Sequence, residues 1–124
     1  MKNKIKKKTL KALLKLNDVS YFTIRNTLTE YNIITQDDYI EFYDFVKHKL
    51  KSLKATIRYY KILYEDYGEP LGSTEYFDDN EVFKCVYIGG YEFFYKKNYT
   101  NLINTLEFII KYFDNVFGES YVCS

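Results

Sequence analysis

Tryptophan is absent from these 124 residues, proline, methionine and histidine occur once each, and cysteine occurs twice. Cys85 and Cys123 form no C-x-x-C pair and no ligand cluster with His48, so neither a disulfide framework nor a metal centre is expected, and the thiols read as reduced. No apolar run approaches the ~18 residues that a membrane span requires. Lys11 and Lys15 interrupt the apolar stretch Leu10 to Leu16, which removes the case for an export signal. Asn98-Tyr99-Thr100 then reads as a chance tripeptide rather than a glycan site. The expected compartment is the cytoplasm of a bacterial or host cell, with no membrane and no cofactor.

What the chain has in quantity is ring and charge. Fifteen Tyr and ten Phe bring the aromatic fraction to 20% and the hydrophobic fraction to 47%, too apolar for disorder. One domain over residues 1–124 is expected from the length. A tyrosine hydroxyl needs a partner or water, so many rings belong at the core margin or on an interface. An AT-rich coding sequence would enrich Tyr and Phe together with Lys, Asn and Ile. The charge is split by position: residues 1–61 hold 14 basic against 6 acidic side chains and residues 62–124 hold 4 against 11, giving +8 and −7 inside a net charge of +1. A front half of that sign attracts polyanions.

Residues 1–8 carry five lysines and no acid, as a mobile basic arm or frayed helix start would. Thr9 is placed to cap a first short helix bearing Leu10, Leu13 and Leu14, and Ser20 a second bearing Ile24 and Leu28, with Asn32 as a left-handed C-cap. Thr35 caps a long central helix, about 36–67, on which Tyr39, Tyr43, Val46, Leu50, Leu53, Ile57, Tyr60, Tyr64 and Tyr67 alternate in steps of four and three. Lysines at 47, 54 and 61 beside that seam face no acids across it, so an internal seam is favoured over a parallel homodimer. Gly68-Glu69-Pro70 ends the helix. A β-hairpin is expected about 81–97 around Gly89-Gly90, its apolar face covered by a C-terminal helix of about 99–117 that stops at Gly118. The expected class is α+β, predominantly helical.

Within Thr9 to Ile34, the run Ala12-Leu13-Leu14-Lys15-Leu16, then Val19-Ser20-Tyr21-Phe22-Thr23-Ile24-Arg25, then Leu28 and Ile33-Ile34, resembles the helix-turn-helix of bacterial and phage regulators. That resemblance implies a small non-enzymatic regulator that binds double-stranded DNA. Tyr21, Phe22, Thr23, Arg25 and Asn26 would face bases, and Lys6, Lys7, Lys8 and Lys11 would neutralise phosphates. The sequence departs from the pattern at the turn, where Asn17 or Asp18 replaces a glycine, and at Thr27, where packing favours an aliphatic residue.

No catalytic set is evident. His48 falls on the outer face of the long helix amid lysines, and Asp78-Asp79-Asn80-Glu81 lacks the spacing of a calcium loop. The alternative function is inhibition of a basic host nucleic-acid-handling protein. Small, Tyr-rich chains without catalytic residues are similar in style to phage and mobile-element inhibitors of the anti-CRISPR or other anti-defence type. Glu65, Asp66, Tyr67, Glu69, Glu75, Tyr76, Phe77, Asp78, Asp79 and Glu81 would supply the acidic, ring-bearing surface. Opposite-charge self-association, front half to back half, in either a homodimer or an extended assembly, is a third possibility.

Overall fold

A computed structural model describes the backbone of residues 2–67, 80–88 and 91–122, and the side-chain surroundings of residues 2–59, 80 and 98–118. Among the described residues there are four helices: α1 (Asn3–Leu14), α2 (Tyr21–Glu30), α3 (Gln36–Tyr67) and α4 (Thr100–Val122). Where side chains as well as backbone are placed, the chain is 81% helical and holds no strand, so the expected α+β class is corrected to a helical one. The physical reason lies in the core. Every buried apolar residue described sits on a helix or, like Ile33 and Tyr99, beside a helix end, and a two-stranded ladder alone supplies no second layer to bury against. The expected hairpin therefore does not define the fold. The backbone of Glu81–Ile88 (β1) and Tyr91–Asn98 (β2) pairs antiparallel, with Ile88 opposite Tyr91. The Gly89-Gly90 turn, and the side chains that would show what a hairpin face packs on, lie outside the described residues.

The backbone divides into two compact units, residues 1–50 with 102–124 and residues 51–101. In the first, Leu10 and Leu13 of α1, Ile24 and Leu28 of α2, Phe42 and Val46 of α3, and Ile109 and Phe113 of α4 are buried. Phe113 is the centre of a ring cluster. Tyr39, Phe42, Tyr43 and Phe117 stand with ring centroids 5.3 to 6.1 Å from it, tilted or edge-on, a geometry worth about 1 kcal/mol per pair beyond area burial. In the second unit Ile57 and Tyr99 are buried. There the Tyr99 N–H donates to the Asn80 carbonyl at 2.9 Å, and the Asn98 side chain accepts from the Thr100 N–H at 2.7 Å where α4 begins.

Local chemistry explains several helix ends. Ser20 caps α2 by accepting from the Thr23 N–H at 3.2 Å, while the Ser20 N–H donates back to the Thr23 hydroxyl at 2.8 Å, a reciprocal capping box. At the other end Asn32 takes the left-handed conformation, φ 62°. Its N–H donates to the Thr29 carbonyl and the Ile33 N–H to the Leu28 carbonyl, and Ile33 and Leu28 are both buried. That is a Schellman stop with its apolar contact. Thr35 caps α3, accepting from the Asp38 N–H at 3.1 Å. Two expectations are corrected. Thr9 does not cap a helix: α1 starts at Asn3, and the Thr9 hydroxyl donates to the Ile5 carbonyl at 2.7 Å from inside it. Gly118 does not end α4, which runs on to Val122.

Candidate nucleic-acid interface

Helical phase organises the lysines of α1. Lys4, Lys7, Lys8 and Lys11, with Lys15 just past the end, recur at steps of three, one, three and four, which places them within roughly 100° of arc on one side of the helix. All five are exposed. Lys6 falls on another side and is half-buried, so the stripe differs from the expected set of Lys6, Lys7, Lys8 and Lys11 by losing one member and gaining two. Among the described residues none of these lysines forms an ion pair; the salt bridge seen there joins Lys47 to Asp44 at 3.5 Å on α3. The first turn of α1 holds no acid, and Lys2 makes no side-chain cap. The positive end of the helix dipole therefore sits under a further stack of positive charge.

On α2 the residues named from the sequence separate into two groups. Phe22, Arg25 and Asn26 are exposed, spaced as one helix face, with Phe22 at 72% of its full accessibility. Thr23 is committed to the helix end. Its hydroxyl takes part in the capping box and lies 3.0 Å from both the Asp18 and Ser20 carbonyls. Tyr21 is committed to packing, its ring 5.3 Å from Phe108 and 5.6 Å from Tyr112 and its hydroxyl accepting from the Asn115 amide. The link between α1 and α2 spans residues 15–20, longer than the three or four residues of a helix-turn-helix turn.

Beside the exposed face of α2 lies an open groove of about 640 Å³, lined by Tyr21, Phe22, Arg25, Tyr39, Tyr112, Asn115 and Val116. Arg25 is its one cation and no carboxylate lines it. The Tyr39 and Tyr112 hydroxyls are 3.1 Å apart. Burial first, and then the hydrogen bond with Tyr39, hold the Tyr112 phenol well above the ordinary tyrosine range, while the Arg25 guanidinium pulls it the other way. Tyr39, Tyr112, Asn115 and Val116 were not among the site residues read from the sequence. Tyr39 carried a seam position, and no spacing relates α4 to residues 21–25.

The other candidates are less developed. His48 is exposed on α3. Among the described residues no group of three or more His, Cys, Asp or Glu is placed to hold a metal, and no helix is long and apolar enough to cross a membrane. Of the acidic surface, Glu65, Asp66 and Tyr67 are in the last turn of α3 and Glu81 opens β1. Glu69, Glu75, Tyr76, Phe77, Asp78 and Asp79 lie outside the described residues. No protein-family model, no curated protein and no solved structure matches the chain.

Proposed function

We propose that the chain is a small, non-enzymatic, cytoplasmic regulator that binds DNA through the lysine stripe of α1 and the exposed face of α2. One observation carries the reading. Five exposed lysines stand on one side of a helix that has no acid in its first turn and, among the described residues, no ion pair to neutralise them. Such a stripe is unfavourable in the protein by itself, because like charges three and four apart repel by about 0.2–0.5 kcal/mol per pair. A polyanion reverses the sign of that term and gains the entropy of counterions released from its phosphates. Arg25 and Asn26 add a cation and an amide that hydrogen-bond phosphate or base. The helix-turn-helix resemblance supports the reading through the capped α2 and the exposure of Phe22, Arg25 and Asn26, although the six-residue link is not the motif's turn.

Fluorescence anisotropy with a labelled DNA of mixed sequence tests it. Binding should weaken steeply between 50 and 200 mM salt, because several lysines displace counterions together. Changing Lys7, Lys8 and Lys11 to Gln should weaken it roughly tenfold or more at low salt while the circular dichroism spectrum stays helical. Absence of binding at low salt, or affinity indifferent to the triple change, would remove the proposal.

A further inference from the structure

Phe22 is the most exposed of the large apolar side chains described, and on the face of a duplex-reading helix it could meet only a thymine methyl. A phenyl ring has neither donor nor acceptor for a base edge. What it offers is a face. The groove behind it is lined by three tyrosines, Tyr21, Tyr39 and Tyr112, whose polar tips are already partnered. The volume, about 640 Å³, falls in the range of pockets that enclose ligands of the size of a nucleoside. Arg25 supplies one cation at the wall and no carboxylate opposes it. A ligand suited to this set has a flat aromatic body to stack on rings and a negative group to meet a guanidinium. A nucleotide has both.

In a duplex the faces of the bases are covered by their neighbours, and a base reaches a protein groove only unpaired and unstacked. Single strands present such bases freely, and stacking on aromatic side chains beside a positive track is the general way proteins hold them. We infer that the nucleic acid this chain binds is single-stranded, with one unpaired base lodged in the groove against Phe22 and the adjoining phosphates on Arg25 and the α1 lysines. The inference rests on the nucleic-acid reading above and adds the strand form to it. It also accounts for the engaged Thr23 hydroxyl and the long link between α1 and α2, because neither a base-reading threonine nor a tight turn is needed to hold a single strand.

The test compares labelled dT20, the same length of oligouridylate, and a 20-base-pair duplex, each against the full chain and its variants in anisotropy titrations at one salt concentration. The two single strands should bind at least tenfold tighter than the duplex, and the comparison between them shows whether DNA or RNA is preferred. Phe22→Ala should lose roughly tenfold on the single strands, the scale of one stacked base, and nothing on the duplex, while Phe22→Tyr retains affinity and Phe22→Leu does not. The exposure of Phe22 means that these changes leave the fold intact, which circular dichroism verifies. Duplex binding as tight as single-strand binding, or single-strand affinity unchanged in Phe22→Ala, would overturn this inference and leave the parent reading in place if Lys7, Lys8 and Lys11 still matter. Loss of all binding at low salt in the unaltered chain would overturn both.

Discussion

A hydroxyl can serve a helix end or a ligand, and at Thr23 it serves the helix end, accepting from the Ser20 N–H while lying within reach of two carbonyls. The cap itself was legible, because Ser20 and Thr23 are three residues apart and the geometry of a helix start is local. Its side effect, removal of Thr23 from the base-facing set, was not, since the same spacing serves either role. Gly118 shows the opposite error. A glycine after an apolar periodic run reads as a stop, yet here the helix continues through it, and a methyl group at that position would meet nothing within 4 Å. Gly118→Ala should therefore raise the unfolding free energy by about 0.5–1 kcal/mol, the difference in helix propensity, measurable as a higher urea midpoint at unchanged m-value. Tyr43 makes a pH prediction. Its hydroxyl donates to Asp114, and that hydrogen bond, followed by burial and the carboxylate's charge, moves its pKa from 10.0 up to about 12. Because the folded value is the higher one, the stabilisation is complete below pH 10 and is lost as pH rises through 12. Tyr43→Phe should flatten that part of the stability profile, seen as a smaller fall in thermal midpoint between pH 9 and pH 12.

Among the elements, α1 carries charge that works against its own stability. Lys4 and Lys8, Lys7 and Lys11, and Lys11 and Lys15 are each four apart and alike in sign, and the helix starts without a cap. Lys4→Glu would place an acid at the positive end of the dipole and pair it with Lys8, two changes of sign that together stabilise by about 1 kcal/mol. On the proposed function the same change also removes a phosphate contact. Thermal stability should therefore rise while affinity for nucleic acid falls severalfold. A gain or a loss in both measurements would show that the stripe is not held for binding. Elements were legible where apolar period and caps coincided, as for α2 and the start of α3. The start of α1 was obscured because a lysine-rich run reads as an unstructured arm, and only the packing of Thr9, Leu10 and Leu13 carries the helix back to Asn3. The class was misread for a related reason: a strand pattern around two glycines says nothing of whether the strands share in the core.

At the scale of the whole chain, the ties that build the first unit join residues far apart in sequence. Tyr39 meets Tyr112, Tyr43 meets Asp114 and Tyr21 meets Asn115, separations of 73, 71 and 94 residues. No window of sequence contains both sides of such a contact, which is why the front-half lysines could be named as candidates from the sequence and the groove could not. A chain ending at Asn101 lacks nearly all of α4 and with it Ile109, Tyr112 and Phe113, so the remaining residues should show no cooperative thermal transition, whereas the full chain should show one. The same arrangement sets the order of events during synthesis. Residues 1–50 leave the ribosome before Phe113, the α4 ring that packs on Phe42, has been made, so the unit cannot close until α4 has emerged. Until then the cationic residues 1–61 are exposed before all of the anionic residues 62–124 exist. A nascent chain in that state would sit beside ribosomal RNA with its lysines unscreened, and its solubility then depends on how quickly α4 arrives.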